Sequence, residues 1–166
     1  MLELHRLDAS HALDVLAFEL GNRAYFAASI SDRGDAYFAQ FAEFYSALLA
    51  EQEAGSCACY VLLGENGCVL GRFNLYDLKD ERAEVGYRMA QRYAGRGLAT
   101  RYVGELCQLA VTRHSLRTLR AAANDDNVAS QRVLAKAGFV PVGPADPAHI
   151  GGRPGTWYQR DLITDR

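Results

Sequence analysis

No stretch of this sequence carries the Gly-Lys-Ser/Thr that ends a phosphate-binding P-loop, so that route to nucleotide chemistry is closed. Proline is scarce, four residues in 166, and no Pro/Ser linker, internal repeat or low-complexity tract marks a domain boundary. No apolar run approaches the roughly 20 residues that a membrane helix needs. No signal-peptide pattern opens the chain, so a cytoplasmic protein is expected. A surplus of one charge is missing too: 18 basic side chains face 20 acidic ones, for a formal net charge of −2. Nothing in that balance draws the chain toward nucleic acid or an acidic membrane. The four cysteines, Cys57, Cys59, Cys68 and Cys107, include no Cys-x-x-Cys and no Cys/His pair at zinc spacing. Cys57 and Cys59 share one face of one strand, where close neighbours make poor disulfide partners. Buried reduced thiols are expected, and no metal site.

What is present is a chain 49% hydrophobic, enough for one core and a single domain over residues 1–166. Leu2 to Leu7 alternates like an edge strand, and Asp8-Ala9-Ser10 offers caps for a helix running to about Phe18–Asn22. Phe26 to Gly34 reads as irregular, followed by helical spacing from Phe38 to Leu49. Cys57 to Leu63 and Cys68 to Tyr76, joined through Asn66-Gly67, form a hairpin. A strand over Ala83–Met89 gives way at Leu98 to a helix with apolar positions at Tyr102, Val103, Leu106, Cys107 and Ala110. A strand at Thr118–Ala123, a helix at Asn127–Lys136 closed by Gly138, and strands at Phe139–Val142 and Thr156–Leu162 complete the order βααβββαβαββ. That order predicts an α+β (three-layer α/β) fold: a mixed, mostly antiparallel central sheet with helices on both faces.

Between the fourth strand and the third helix stands Arg92-Tyr93-Ala94-Gly95-Arg96-Gly97-Leu98-Ala99-Thr100. Gly95 and Gly97 accept positive φ and let a ligand approach bare backbone. The first N–H groups of the helix have no partner within it, and its dipole makes that end positive. With Arg92 and Arg96 alongside, the segment reads either as an anion-binding loop or as a plain glycine-rich turn with arginines in solvent. A dinucleotide fingerprint does not fit, since Thr100 stands where its third small residue belongs.

Arg92-x-x-Gly95-x-Gly97, set within this order of elements, resembles the GNAT acetyltransferase superfamily, whose Q/R-x-x-G-x-G/A loop binds the pyrophosphate of acetyl-CoA. Glu84-Val85-Gly86-Tyr87 upstream and Asn124-Asp125-Asp126-Asn127-x-x-Ser130-x-x-Val133-Leu134-x-Lys136-x-Gly138-Phe139 downstream resemble its branch of ribosomal-protein N-terminal acetyltransferases. The resemblance implies the GNAT acyl-CoA N-acyltransferase fold and acetyl-CoA as cofactor. It assigns the main-chain N–H groups of Gly95, Arg96, Gly97, Leu98 and Ala99, and the Thr100 hydroxyl, to the pyrophosphate. Arg88 and Met89 would end a strand that splays from its neighbour and pairs with the pantetheine arm. Asn127 would hold the pantetheine amide, cap its own helix, or do both.

Ser130, one turn beyond Asn127, matches the serine this branch places near the thiolate leaving group, which makes it the best candidate acid; the alternative is an ordinary first-turn serine. A main-chain N–H near Met89 is the candidate donor to the developing oxyanion. An α-amine of pKa about 7.7–8.0 needs only a modest base. Glu84 is one candidate, unless it is a solvent-facing residue paired with Arg82 or Arg88. His149 is the other, unless it only decorates the loop before the last strand, where the branch carries a glutamate. No cysteine has a nucleophile's setting, so direct transfer in a ternary complex is expected. The acceptor implied by the branch is a protein N-terminal α-amino group. A small amine (polyamine, amino acid or aminoglycoside) and a non-catalytic acyl-CoA sensor stay open, as does a homodimer. The aromatic cluster Tyr25, Phe26, Tyr37, Phe38, Phe41, Phe44 and Tyr45 reads as core, with Tyr25, Phe26 and Ser29 to Asp35 placed to border the acceptor channel. His5, His11 and His114 are given no role.

Overall fold

The computed structural model describes residues 2–162; Met1 and residues 163–166, the ends of the expected single domain, lie outside the described residues. Seven strands form one sheet in the order β1-β2-β3-β4-β5-β7-β6. They are β1 (Leu4–Arg6), β2 (Ala58–Leu63), β3 (Val69–Lys79), β4 (Arg82–Met89), β5 (Thr118–Asn124), β6 (Val140–Ala145) and β7 (Gly155–Asp161). Neighbours pair antiparallel except β4 and β5, which run parallel. The predicted mixed sheet is the observed one. β6 is an edge strand carrying Pro141 and Pro144, with a bulge between Pro141 and Gly143, as residues that cannot donate to a ladder require.

Alternation along β2 separates two cores. Ala58, Tyr60 and Leu62 join Phe73, Leu75 and Val85 under α5 (Leu98–Thr112) and α6 (Val128–Lys136). Cys57, Cys59 and Val61 face the opposite way, under α1 (Ala12–Gly21), α2 (Arg23–Ala27) and α4 (Phe41–Glu53). The α5 stripe Tyr102, Val103, Leu106, Cys107 and Ala110 is buried as its spacing predicts.

Three local expectations change. The stretch read as irregular begins within a short helix, α2. The single helix read from Phe38 to Leu49 is two, α3 (Asp35–Ala39) and α4, broken at Gln40. The cause lies outside the periodic pattern: Arg23 bonds Asp32 and Asp35 and stacks on Phe38 at 4.4 Å, tying α3 to α2. Those bonds hold Asp32 far below the usual carboxylate range, down to about 2. Finally, Cys68 is exposed at the hairpin rather than buried, while Cys57, Cys59 and Cys107 are buried.

Candidate functional site: a forked strand pair

The strands β4 and β5 pair over only three residues, Arg82–Thr118, Ala83–Leu119 and Glu84–Arg120. Beyond Glu84 the ladder ends and the two strands form a fork. A cleft of about 780 Å³ occupies it, floored by Val85–Met89 of β4 and Ala121–Asn124 of β5. Period-two alternation decides which side chains face which side. Val85, Met89, Ala121 and Ala123 belong to the core under α5 and α6. Glu84, Gly86 and Arg88, with Arg120, Ala122 and Asn124, therefore face the side of α1 and α2.

At the open end of the fork the chain turns through Gly95 (φ +75°) and Gly97 (φ +78°) into α5. A Cβ at either glycine would meet nothing within 4 Å, so the backbone there borders open space. Arg101 N–H is the first to bond into the helix, to the Gly97 carbonyl, which leaves the N–H groups of Leu98, Ala99 and Thr100 without an intrahelical partner. Gly95, Gly97, Ala99 and Thr100 line the cleft together with Arg88, Met89, Asn127 and Ser130. Arg92 and Arg96 are not part of the lining; both guanidinium groups stack on Tyr93 at 5.3 Å, and Leu98 packs on the core.

Asn127 is the N-cap of α6, its side-chain oxygen accepting from the Ser130 N–H at 3.2 Å. Its side-chain NH2 has no partner among the described residues. The Tyr87 hydroxyl donates to Ser130 Oγ at 3.3 Å. Burial pushes the Tyr87 phenol up, so it stays a proton donor, and its ring is stacked on Phe73. A Ser130 hydroxyl that accepts from Tyr87 keeps its own hydrogen free to point elsewhere.

On the opposite side, the two candidate bases meet. His149 Nε2 lies 2.9 and 3.0 Å from the two carboxylate oxygens of Glu84, 65 residues away. Glu84 is thus partnered by His149, not by Arg82 or Arg88 as the local pattern suggested. His149 sits in the short turn Pro147–Ile150, its ring 5.0 Å from Trp157, which in turn carries Arg120 over its face at 4.4 Å. Phe26 and Tyr25 line the same side, Phe26 buried and Tyr25 partly exposed.

The sequence reading missed Glu19, which is 1% exposed and bonded to Arg33, Arg72 and Arg88 at 3.0, 2.8 and 2.9 Å. Burial would push this carboxyl up; the charges of Arg33, Arg88 and Arg72 outweigh it and hold the carboxyl below its ordinary value. Its signal was a charge on the apolar stripe of α1, four residues after Val15. Trp157 carries no comparable signal, and Tyr87 stands in the Glu84–Tyr87 motif without a role of its own there. Burial pushes the Cys59 thiol up to about 12 and raises Cys57 and Cys107, and no cysteine lines the cleft. Among the described residues no cluster of three metal-capable side chains occurs, and no helix is long and apolar enough to cross a membrane.

A forked parallel strand pair with a glycine loop at a helix N-terminus is an architecture known elsewhere. The family model described as an acetyltransferase (GNAT) domain matches residues 2–140. The chain belongs to the GNAT acetyltransferase family. It is an N-acetyltransferase that uses acetyl-CoA, and its fold is the GNAT fold. The ribosomal-protein-S5-alanine acetyltransferase of Vibrio fischeri superposes with a TM-score of 0.88 at 20% identity, covering 97% of this chain and 93% of that one. RimJ of Mycobacterium smegmatis, solved with a CoA disulfide, gives 0.85 at 19% identity over 96% and 81%. The spermidine N-acetyltransferase of Vibrio cholerae, with CoA and spermine, gives 0.81 at 16% identity over 97% and 95%. No curated protein sequence matches the chain. At these identities the solved GNAT structures speak for the fold; their acceptors differ, from ribosomal protein to polyamine.

Proposed function

We propose that this GNAT enzyme acetylates a protein N-terminal α-amino group by direct transfer within a ternary complex, in a single domain. The observation that carries the reading is the fork itself, with a carboxylate–imidazole pair on one side and a hydroxyl pair on the other. Acetyl-CoA, when bound, supplies an acetyl thioester. The residues present fit it: the loop offers open space beside two positive-φ glycines, three unpaired helix N–H groups, and a free amide NH2 on Asn127. The N–H groups of Gly95, Arg96, Gly97, Leu98 and Ala99 and the Thr100 hydroxyl would hold the pyrophosphate, with the Arg92 and Arg96 charges at the rim. The main chain at Arg88 and Met89, with Asn127 opposite, would hold the pantetheine arm.

In this reading Glu84 and His149 together take the proton of the attacking amine, the carboxylate orienting the ring and the free ring nitrogen accepting. Ser130 Oγ–H stands on the far side, where it gives its proton to the departing sulfur while Tyr87 O–H supports the serine oxygen. A main-chain N–H of β4 facing the fork, between Glu84 and Met89, would be the donor to the carbonyl oxygen. Three buried cysteines with raised pKa offer no thiolate for a covalent acetyl-enzyme. Arg92 and Arg96, stacked on Tyr93, act as rim charges rather than ligands in the cleft.

Thiol release from acetyl-CoA, followed against a panel of free-N-terminal peptides and small amines, tests the reading. Release with peptides that disappears after blocking their N-termini is the expected result. Release with polyamines, amino acids or aminoglycosides but no peptide overturns the acceptor assignment. Tight acetyl-CoA binding with no release against any amine overturns the enzyme mechanism in favour of a sensor.

A further inference from the structure

The reacting end of the cleft employs Glu84, His149, Ser130 and Tyr87. Further along the arms of the fork, two groups on the acceptor side have no task in that chemistry. Arg88 follows Glu84 and Gly86 on the same face of β4, about 13 Å from Glu84 along an extended strand. One guanidinium nitrogen donates to Glu19 at 2.9 Å, and the group lies over the Phe26 ring at 4.8 Å. Its other N–H groups have no partner among the described residues, and Arg88 lines the cleft. Glu19 cannot neutralise it, because the same carboxylate also takes Arg33 and Arg72: three cations share one buried anion.

On the other arm, Asn124 follows Arg120 and Ala122 on the acceptor-side face of β5. Its Nδ2 donates to the Ser29 carbonyl at 3.1 Å, which sets the orientation of the amide. The side-chain oxygen is left buried and without a partner, on a residue 5% exposed that lines the cleft. Buried acceptors are almost always satisfied, so this one is matched to a donor brought by a ligand.

A donor-rich cation on one arm and an orphan acceptor on the other call for a ligand with both an anionic oxygen and an N–H. A polyamine brings only cations, which Arg88, the one of these three arginines that lines the cleft, repels. An extended peptide brings main-chain N–H groups and advances about 3.3 Å per residue, so the arginine side chain spans the remaining distance to its second or third position. Building on the N-terminal reading above, we propose that the acceptor is a peptide N-terminus carrying a carboxylate at its second or third residue. Arg88 donates to that carboxylate and Asn124 Oδ1 accepts a main-chain N–H; both are specificity-determining residues.

The test uses peptides that differ only in an Asp, Asn or Lys at position two or three. Wild-type kcat/KM is expected to favour Asp over Lys by about tenfold or more. Arg88→Gln should bring that ratio close to one, and Arg88→Lys should keep its sign. Calorimetric binding of the acetylated product peptides should show the same ratio without turnover. An ester in place of the main-chain N–H of the third or fourth residue, level with Asn124, should weaken wild-type binding and have no further effect in Asn124→Ala. Equal kcat/KM for Asp and Lys peptides, or a ratio that survives Arg88→Gln, overturns the inference while leaving N-terminal acetylation standing. Thiol release with small amines and no peptide overturns both.

Discussion

The two sides of the fork are built from different kinds of contact. The cofactor side is mostly local: Gly95, Gly97 and the first turn of α5 are neighbours in sequence, Asn127 caps the helix of Ser130 three residues away, and its longer reach is Tyr87 to Ser130 over 43 positions. The acceptor side is assembled across the chain. Glu19 reaches Arg72 over 53 positions and Arg88 over 69, Glu84 reaches His149 over 65, and Asn124 reaches Ser29 over 95. A local site survives small shifts of the fold around it, whereas a long-range one exists only when the whole fold is in place. Specificity therefore depends on the whole fold being in place, and affinity for the shared cofactor on a short stretch of it.

The strongest way to break the contrast is Glu19→Ala. It leaves Arg72, buried and deprived of its carboxylate, beside two more cations; removing one partner of a buried pair costs about 3–5 kcal/mol. Urea denaturation should show that loss, and an unchanged midpoint would mean that the cluster does not hold the acceptor side together. The folded pKa of Glu19 is depressed, so its contribution is present above the unfolded carboxyl's value and fades as pH falls through the folded one. Acid should thus unfold the wild type more steeply than the variant.

Next in size is Gly97→Val, on the local side. A branched side chain at φ +78° is strained and fills the open space beside the loop. Acetyl-CoA affinity is expected to drop by about three orders of magnitude, about 4 kcal/mol, in a calorimetric titration. Affinity like the wild type's would remove the loop from the cofactor site. Ser130→Ala follows: turnover falls about 100-fold, near the lower end for a lost proton donor, while acetyl-CoA affinity changes little. Tyr87→Phe should cost less. If it costs as much, the tyrosine, not the serine, is the donor to sulfur.

Legibility in the sequence follows the same division. The hairpin at Asn66-Gly67, the α5 stripe and the glycine loop rest on turn chemistry and periodicity, and all appear where they were read. The fork was legible only through family resemblance, because no local pattern announces that a parallel ladder will stop at Glu84. Glu84 and His149 were each named, but their contact was not, since nothing in either segment points across 65 residues. Glu19 shows only as a charge on an apolar stripe, and Asn124 as an ordinary residue, until Arg72, Arg88 and Ser29 arrive from elsewhere. The split between α3 and α4 has the same origin, an arginine from α2 overriding an aromatic period.

The smallest effect lies outside both sides of the fork and keeps their pH profiles interpretable. His114, just after α5, has its Nε2 2.8 Å from the Tyr60 hydroxyl. Burial, with the nearby charges of Arg6 and Arg113, lowers its pKa below the ordinary histidine value. The unfolded chain therefore binds a proton at His114 before the folded one does. Stability from this residue is full above the unfolded value near 6.5 and declines as pH falls below it. Thermal melts at pH 7.5 and 5.5 should show a modest loss that His114→Asn removes. In that variant, an acid limb left in the rate of thiol release does not come from unfolding at His114, whereas a limb that vanishes with His114 would have reported on stability alone.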